Sequence, residues 1–264
     1  MRDPRVSLVT VTYNSAATLE QFWSEWPRDN CEWIVVDNNS SDDSAAIAES
    51  LAATVIRLDQ NVGFSAANNI GARRATGDVL GFVNPDVTAT DDGVERLAAT
   101  VRATGSLVAP QLLNADGSLQ ENGRAAPYPI RKLAHMFAPG SSTNQRYVRR
   151  VESGHQQVVW AMGAAIFVDH AAFERLGGWD EGFFIYYEDS DFCLRALRHG
   201  MRTIIDGDVR FVHGWARETA SKPSVGIFKH ELRSAVRFYA KHPECLIPVG
   251  REGARLRRTE KATK

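Results

Sequence analysis

Cysteine is scarce in this sequence, and long apolar runs are missing from it. The three cysteines, Cys31, Cys193 and Cys245, are widely spaced and form no CxxC pair, so we expect neither a disulfide scaffold nor a structural zinc site. No apolar run approaches the roughly 20 residues that a transmembrane helix requires. Because Met1–Pro4 does not begin like a signal peptide, we expect the chain to stay in the cytosol.

Two glycine-rich phosphate motifs are also missing. The sequence contains neither GxGxxG nor GxxxxGK followed by Ser or Thr, which argues against an ordinary dinucleotide-binding fold and against a P-loop enzyme. With 44% hydrophobic and 24% charged residues, the composition is that of a globular protein rather than of a disordered chain or a coiled coil. A length of 264 residues allows one large α/β domain or two small ones.

Charge is unevenly distributed although the net charge is only -1. Residues 1–194 carry 15 Lys and Arg against 25 Asp and Glu, whereas residues 195–264 carry 16 against 7. Such a basic end can be a solvated surface, a nucleic-acid patch, or a surface for anionic lipid or a lipid diphosphate. The charge by itself does not choose among these.

Strands and helices are predicted to alternate four times in the first part of the chain. β-branched or apolar runs start near residues 6, 32, 54 and 78, and each is followed by a polar loop and a helical pattern. This rhythm predicts βαβ units and a mostly parallel sheet flanked by helices. Ligands of such sheets bind beyond the carboxyl ends of the strands.

Polar residues stand just behind three of these strands: Tyr13-Asn14, Asp37-Asn38-Asn39 and Asn84-Pro85-Asp86. We expect all three groups to line one crevice. Each has a plainer explanation as well, since Asn, Pro and Asp form turns and Asp37 could cap the helix that begins near Ser41.

The second half is less regular. Residues 120–157 contain Pro127, Pro129 and Pro139 and are predicted to form a long loop, followed by a buried strand at 158–168. The aromatic run at 183–187 is interpreted as a strand that leads into a helix from about Glu188 to Gly200, and an amphipathic helix is expected around 226–242.

The acids Glu188, Asp189 and Asp191 stand in the first turn of that predicted helix. The helix macrodipole favours carboxylates there, but three acids beside an aromatic run also suggest a general base held against apolar surface. His213 ends a predicted strand in "RFVHG". It could reach a metal ion, although most single histidines have no such role.

Seven segments together carry a recognisable pattern. In order along the chain they are "VTVTYNS", "VVDNNSSDDS", "NVGFSAANNIG", "GFVNPDV", "WAMGAAIFV", "GGWDEGFFIYYEDSDFCLRALRHG" and "FVHG". Over roughly residues 5–243 the chain resembles the inverting family 2 glycosyltransferases with a GT-A fold. Within that family it is most similar to bacterial rhamnosyltransferases, including the actinobacterial type that adds rhamnose to polyprenyl-diphosphate-linked N-acetylglucosamine.

The resemblance implies a nucleotide site along the strand ends. Thr12 and Asn14 would border the nucleotide, and Asp37 would read a pyrimidine base. The segment from Asn61 would close the base and ribose side. The nucleotide-binding residues expected in this way are Thr12, Asn14, Asp37, Asn39, Asn61, Gly63, Asn69 and Asn84.

A divalent cation, Mg²⁺ or Mn²⁺, is implied at Asp86, with His213 completing the site. The family's usual element is Asp-x-Asp, and here Asn84 replaces the first acid. We therefore expect weaker metal binding. On the opposite side, Asp189 matches the catalytic base with Glu188 and Asp191 as supporting acids, and the acceptor segment contains Trp160 and Gly163.

These expectations define a single α/β domain with a GT-A fold at residues 1–243, with a nucleotide-binding part at about 5–110 and an acceptor part at about 111–243. A basic tail would follow at 244–264. The expected activity is inverting transfer of a sugar, L-rhamnose from dTDP-L-rhamnose, onto a hydroxyl of a glycolipid or glycan precursor of the cell envelope.

Alternatives remain from two classes: a GT-A enzyme that uses a UDP- or GDP-sugar, and a non-catalytic protein that binds nucleotide sugars. A nucleotidyltransferase should carry a Gly-rich basic loop after the first strand, which "TYNSAATLE" lacks. The expected partners are the nucleotide sugar, a polyprenyl-diphosphate-linked or other glycan acceptor, and an anionic membrane surface, with no nucleic acid. The protein would then be cytoplasmic and peripheral on the inner face of the cell membrane.

Overall fold

The structure is a computed structural model that describes residues 6–28, 30–214, 225–247 and 250–262. The prediction about a signal peptide rests on Met1–Pro4, and the predicted basic tail ends at residues 263–264, so both reach outside the described residues.

The first half of the chain forms the predicted βα units. Four parallel strands lie side by side in the order β3-β2-β1-β4. The buried strands are rich in Val, Ile and Leu, as expected of strands covered on both faces. Their bounds are β1 Val6–Thr12, β2 Cys31–Asp37, β3 Thr54–Arg57 and β4 Val79–Val83, with the helices α1 Ala16–Trp23, α2 Ser44–Ser50 and α3 Phe64–Arg74 between them.

The sheet continues beyond β4 with strands from the second half, so that nine strands of the described residues form one sheet. Its order is β3-β2-β1-β4-β11-β6-β12-β5, and β9 pairs with β12. β11 runs antiparallel between β4 and β6, while β12 is parallel to β6. The new elements are β5 Val87–Thr88, α4 Asp91–Thr104, β6 Leu107–Leu113, β9 His155–Val158, β11 Ala165–Asp169, α7 His170–Arg175 and β12 Thr203–His213.

The predicted α/β fold with a Rossmann-like central sheet in one domain is confirmed. Two apolar clusters, one on each face of the sheet, form the core. Phe82 belongs to one of them and Phe167 to the other. No helix among the described residues is long and apolar enough to cross a bilayer.

Residues 120–157 are not the long loop that the prolines suggested. They contain two helices and two strands, β7 and β8, which form a second, three-stranded sheet with the following strand β10. Pro129 is the first residue of one helix, where its missing N–H costs nothing because that group has no partner in a helix anyway. The bounds are β7 Gly123–Arg124, α5 Pro129–Phe137, α6 Ser142–Gln145, β8 Val148–Arg149 and β10 Trp160–Ala161.

The aromatic run at 183–187 is not a strand either. Tyr186 and Tyr187 both have left-handed backbone angles, with φ of 68° and 69°, and two such residues in succession cannot continue an extended chain. Non-glycine residues adopt this conformation rarely and at a cost of about 1–3 kcal/mol each. Helix α8, Glu188–Arg198, begins directly afterwards, close to its predicted start.

The basic end is folded rather than a tail. The predicted amphipathic helix is confirmed as α9, Val225–Lys241, and a 3₁₀ turn at Pro243–Cys245 and helix α10, Gly250–Ala262, follow it. Leu256 of α10 is only 1% exposed and belongs to the main apolar cluster. The predicted domain end at residue 243 would therefore separate α10 from the core against which it packs.

Candidate active site

The carboxyl ends of β1 and β2 carry two buried oxygen atoms without partners. Thr12 and Asp37 are neighbours in the strand register. Within the described residues, neither Thr12 Oγ1 nor Asp37 Oδ1 has a hydrogen-bond partner, although Asp37 Oδ2 accepts from the backbone N–H of Ser40 at 3.2 Å. Buried polar atoms are rarely left unpaired, so these two oxygens stand out as acceptors without a donor among the described residues.

A pocket of about 280 Å³ lies beyond these strand ends and is called the strand-end pocket. Asn38 and Asn61 form one side, where Asn38 Nδ2 donates to Asn61 Oδ1 at 2.9 Å. The pocket is lined by Val11, Tyr13, Ser15, Thr18, Asn38, Asn61, Gly63, Phe64, Asn84, Pro85, Asp86, Phe184 and Ile185. Three predicted nucleotide-binding residues, Asn61, Gly63 and Asn84, are therefore brought together.

Gly63 has no acceptable replacement in this arrangement. Its φ is +85°, and a Cβ atom there would lie 2.7 Å from both the ring and the carbonyl oxygen of Phe184. The N–H of Phe64 donates to the same carbonyl at 2.7 Å. Only glycine allows the chain to approach this closely in the left-handed region.

The other five predicted nucleotide-binding residues do not line the strand-end pocket. Two of them, Thr12 and Asp37, are buried at the ends of β1 and β2. Asn14 Oδ1 accepts from the N–H of Ser41 at 2.8 Å and so holds the loop behind β2, and Asn39 is exposed beyond that loop. Asn69 Nδ2 donates to the carbonyl of Trp179 at 2.9 Å, and Asn69 Oδ1 accepts from the N–H of the same residue. The side chains of Asn14 and Asn69 position loops rather than border the pocket.

The turn at Asn84-Pro85-Asp86 is joined to the far end of the chain. The N–H of Val87 donates to the carbonyl of Asn84 at 3.2 Å, which closes the turn. Val87 then pairs with His213 in the antiparallel β5–β12 ladder. As a result, Asp86 Oδ2 and His213 Nε2 lie 3.4 Å apart. The turn thus brings together Asp86 and His213, the two residues that the family resemblance implies as cation ligands.

The His213 ring is oriented by Gln120, a residue that the sequence did not single out. The Gln120 amide nitrogen donates to Asn114 Oδ1 at 2.9 Å, so its oxygen faces His213 Nδ1 at 2.6 Å. In the tautomer that donates from Nδ1 to Gln120, Nε2 presents its lone pair towards Asp86. A carboxylate oxygen and an imidazole nitrogen at this separation fit a divalent cation. No described third His, Cys, Asp or Glu side chain joins them.

A second pocket, of about 420 Å³, contains the predicted acceptor residue Trp160 and two of the three acids. It is called the aromatic pocket and is lined by Arg124, Lys132, His135, Met136, Tyr147, Trp160, Tyr186, Tyr187, Glu188, Asp189 and Glu231. Residues 184–185 line the strand-end pocket and residues 186–189 line the aromatic pocket. Tyr186 and Tyr187, whose backbone angles are left-handed, therefore separate the strand-end pocket from the aromatic pocket.

Asp189 is held by backbone N–H groups. Its Oδ2 accepts from the N–H of Gly163 at 3.2 Å, and its Oδ1 accepts from the N–H of Ser190 at 2.6 Å. Gly163 lies against the Asp189 side chain, where a Cβ atom would come 3.4 Å from Asp189 Cβ. The two predicted residues are thus direct neighbours, and the carboxylate is fixed at the pocket wall.

Glu188 is in a different electrostatic state. Burial, together with the charge of Asp189, raises the pKa of the Glu188 carboxyl to about 8. Its Oε2 is buried without a hydrogen-bond partner in the described part of the chain. The raised pKa favours the neutral form of the Glu188 carboxyl at neutral pH.

Asp191 does not face the pocket. It is fully buried, and burial alone would raise the pKa of its carboxyl, but hydrogen bonds from His242, Lys241 and Arg195 hold that pKa well below its ordinary value. His242 Nε2 lies 2.8 Å, Lys241 Nζ 2.7 Å and Arg195 Nε 2.7 Å from its oxygens. This ion network joins α8 to the end of α9, so Asp191 positions the helix that carries Asp189.

Two cations of the aromatic pocket were missed by sequence reasoning. The Lys132 ammonium lies 3.5 Å from the ring centre of Tyr187 and 5.1 Å from that of Trp160, and burial lowers the pKa of Lys132 to about 8. The Arg124 guanidinium lies 5.9 Å from the ring centre of Trp160, and burial lowers its pKa too. The only signal in the sequence was a Lys and an Arg among prolines and aromatics, in the segment interpreted as a loop.

One crevice is thus divided between a polar side at the strand ends and a side that presents a fixed carboxylate. With this sheet order, the division defines the class of protein, a glycosyltransferase of the GT-A fold. The family follows from the sequence: the model "Glycosyl transferase family 2" matches residues 7–172, and the chain belongs to that family. A second model, "Glycosyl transferase family group 2", matches residues 133–243.

Among curated relatives, the chain is 25% identical to the N-acetylglucosaminyl-diphospho-decaprenol L-rhamnosyltransferase of Mycobacterium tuberculosis, over 89% of this chain and 84% of the relative. It is 26% identical to the dTDP-rhamnosyl transferase RfbF of Shigella flexneri, over 88% and 75%. The identity to the low-salt glycan biosynthesis hexosyltransferase Agl10 of Haloferax volcanii is 25%, over 74% of this chain but only 62% of the relative.

Solved structures share the fold at lower identity. The mannosyltransferase PcManGT of Pyrobaculum calidifontis, in complex with GDP-Man and Mn²⁺, superposes with a TM-score of 0.62 at 19% identity and covers 99% of this chain and 69% of its own. GalNAc-T7 with UDP, GalNAc and Mn²⁺ has a TM-score of 0.64 at 17% identity, and this chain spans 55% of it. The predicted GT-A fold and the glycosyltransferase class are confirmed.

Proposed function

We propose that this glycosyltransferase moves L-rhamnose from dTDP-L-rhamnose, with inversion, onto a hydroxyl of a phosphate-linked glycolipid precursor of the cell envelope. Binding of a nucleotide is supported by two buried oxygens without hydrogen-bond partners among the described residues, Thr12 Oγ1 and Asp37 Oδ1, at adjoining strand ends. The sugar and the acceptor are suggested by two relatives at about 25% identity that are named as rhamnosyltransferases.

The strand-end pocket would bind the donor. A pyrimidine base has an imino N–H, and Asp37 Oδ1 is the buried acceptor that lacks a donor. The Thr12 hydroxyl is available to the nucleoside beside it, and Gly63 lets the chain close over the pocket. An unpaired buried acceptor costs about 1–3 kcal/mol, so a nucleotide that supplies an N–H gains this amount relative to one that does not.

Asp86 and His213 would hold Mg²⁺ or Mn²⁺, with the donor diphosphate or water supplying further oxygen ligands. The bound ion would act as a Lewis acid for the departing diphosphate. Asn84 would contribute no charge, so one protein carboxylate from this turn would face the cation.

Asp189 would act as the general base on the acceptor side. An attacking hydroxyl must lose its proton as it approaches the anomeric carbon, and a carboxylate within hydrogen-bond reach can accept it. The N–H groups of Gly163 and Ser190 hold Asp189 in one orientation. The neutral Glu188 would leave this proton acceptor as the only charged member of the acidic pair.

The lipid part of the acceptor would place the protein on the cytoplasmic face of the cell membrane. The acceptor class alone suggests this location, since a polyprenyl-linked substrate is presented from a membrane. A non-catalytic nucleotide-sugar-binding protein, the alternative left open by the sequence, would have no use for a carboxylate fixed in a separate pocket.

A panel of nucleotide sugars tests the donor. We expect dTDP-L-rhamnose to bind most tightly in calorimetric titrations and to bind more tightly with Mg²⁺ or Mn²⁺ than with a chelator. Transfer to a short-chain, phosphate-linked N-acetylglucosamine acceptor should then be detectable by mass spectrometry. Tighter binding of UDP- or GDP-sugars would refute the dTDP-rhamnose assignment, and binding without transfer to any acceptor would favour the non-catalytic alternative.

A further inference from the structure

Helix α5 turns its polar side towards the protein. Arg131 forms an ion pair with Glu260 of α10. The Lys132 ammonium lies against the ring of Tyr187, and His135 makes its hydrogen bond to a side chain of the following helix. The polar positions of this helix are therefore already in use on its inner side.

Its outer side is apolar. The exposed fractions are 67% for Ile130, 50% for Leu133, 59% for Met136 and 76% for Phe137, whereas Arg131, Lys132 and His135 are half-buried. These four residues are called the apolar face of α5. Surface helices in water normally show the reverse arrangement, with apolar residues inward. A contiguous apolar face on the outside marks a contact surface.

The surroundings of this face indicate what it contacts. On one side, α5 contributes Lys132, His135 and Met136 to the aromatic pocket, so the face borders the opening through which an acceptor would enter. Helix α9 lies nearby, because the Tyr239 hydroxyl donates a 3.0 Å hydrogen bond to the carbonyl of Pro127, just before α5. This helix exposes two further apolar side chains, Leu232 and Val236.

On its other side, α5 borders a cleft rich in positive charge. The cleft, called the basic cleft, contains one carboxylate, Glu260, which is already paired with Arg131. Its cationic residues are Arg131, Arg146, Arg149, Arg257 and Lys261. A helix with an apolar outer face beside clustered Lys and Arg is the arrangement that lies flat in the interface of an anionic bilayer.

We infer that the apolar face of α5 docks on a lipid bilayer that contains anionic headgroups, with the basic cleft facing those headgroups. The inference rests on the proposed function in one respect, because a lipid-linked acceptor would enter the aromatic pocket from that same surface. A second copy of the chain is a poorer occupant. Four side chains on a nine-residue helix offer much less than the roughly 800 Å² per partner of a stable interface, and the cations of the cleft would face their own copies.

Vesicle flotation at low ionic strength tests the inference with the full-length chain. The probes are phosphatidylcholine vesicles with and without phosphatidylglycerol. The variant Ile130→Ser/Phe137→Ser should reduce binding to the anionic vesicles by about tenfold or more, because two apolar side chains no longer enter the interface. The matched control, Ile130→Val/Phe137→Leu, keeps the positions apolar and should bind within a few-fold of the original chain.

A second variant tests the charge. Arg257→Ser/Lys261→Ser should lose about fivefold for each cation removed, and the loss should vanish on vesicles without phosphatidylglycerol. Equal binding to both kinds of vesicle, or serine variants that bind as well as the original chain, would overturn the inference. So would a dimer that the Ile130→Ser/Phe137→Ser variant dissociates, since a second copy would then cover the face.

Membrane docking and catalysis can be tested independently of each other. Thermal unfolding should show the serine variants folded, since the substituted side chains are exposed. The Ile130→Ser/Phe137→Ser variant should transfer sugar to a water-soluble acceptor at the original rate and lose rate only with acceptor in vesicles. Conversely, Asp189→Asn should bind vesicles normally, so a wrong catalytic assignment would leave the docking result intact.

Discussion

The strand-end pocket and the aromatic pocket differ in how their polar groups are satisfied. In the strand-end pocket, neutral amides such as Asn38 and Asn61 bond to each other, and the unpaired atoms are two oxygens at the strand ends. In the aromatic pocket, cations and acids lie together against aromatic rings, with the pKa values of Lys132 and Glu188 both brought to about 8. The first pocket is suited to recognising a ligand by hydrogen bonds. The second pocket shifts the pKa values of its charged side chains and so controls their protonation.

The most severe test of this contrast is Asp189→Asn. The substitution removes the proton acceptor but keeps the size of the side chain, so kcat should fall by about 10²–10⁴-fold, while donor affinity in calorimetric titrations stays the same. Asp92→Asn is the matched control, because Asp92 is an exposed acid in the first turn of α4. Unchanged turnover in Asp189→Asn would remove the base from the aromatic pocket.

A metal titration addresses the strand-end side. His213→Ala should weaken divalent-cation binding, measured by calorimetry in the presence of the donor nucleotide, by at least about tenfold. Gln120→Leu should cost about 10–100-fold, because partners that orient a ligand often matter as much as the ligand. His199→Ala, on the exposed end of α8, serves as the control. A normal titration in His213→Ala would mean that Asp86 acts without it.

Base recognition should show a smaller effect. Asp37→Asn replaces a buried acceptor with an amide, and the loss of one hydrogen bond to a charged group, about 1.5–3 kcal/mol, should weaken dTDP and UDP binding by about tenfold or more. Binding of ADP, whose base carries no imino N–H, should change little, so the preference for dTDP and UDP over ADP should narrow. The exposed Asp43, substituted by Asn in the same way, should have no effect. A uniform loss for all nucleotides would indicate a structural role for Asp37.

The smallest effect concerns stability. Because the pKa of Glu188 is raised to about 8 by burial and by Asp189, the folded protein holds a proton that the unfolded chain releases at neutral pH. The free energy of unfolding should therefore fall as pH rises from about 5 to about 8. Urea midpoints of Glu188→Gln should show a shallower decline over this range than those of the exposed control Glu20→Gln. Equal slopes would mean that Glu188 is already ionised in the folded protein.

The two pockets also differ in how many of their residues could be predicted from the sequence. The strands of the strand-end pocket follow one another along the chain, and the local patterns at Thr12, Asp37 and Asn84 were enough to place all three at strand ends. Asn69 shows the limit of such inference. The family resemblance implied that it binds the nucleotide, but its amide bonds to Trp179, 110 residues further along.

The aromatic pocket is assembled from distant segments, and its chemistry depends on burial that local patterns do not show. Lys132 acquires its aromatic surroundings only when α5 packs beside Tyr187. Asp191, one of three adjacent acids in the sequence, is separated from the pocket by its pairing with His242. The double left-handed turn at Tyr186-Tyr187 was equally hidden, because aromatic residues in succession are typical of strands.

The pairing of β5 with β12 has a consequence for biosynthesis of the protein. The proposed cation site joins a residue from the first third of the chain with one near its end, and β12 must add to the sheet before His213 can approach Asp86. A nascent or truncated chain that lacks β12 therefore lacks the pairing of Asp86 with His213. Affinity for the donor then depends on complete assembly of the sheet, and binding of the nucleotide sugar stabilises the folded enzyme.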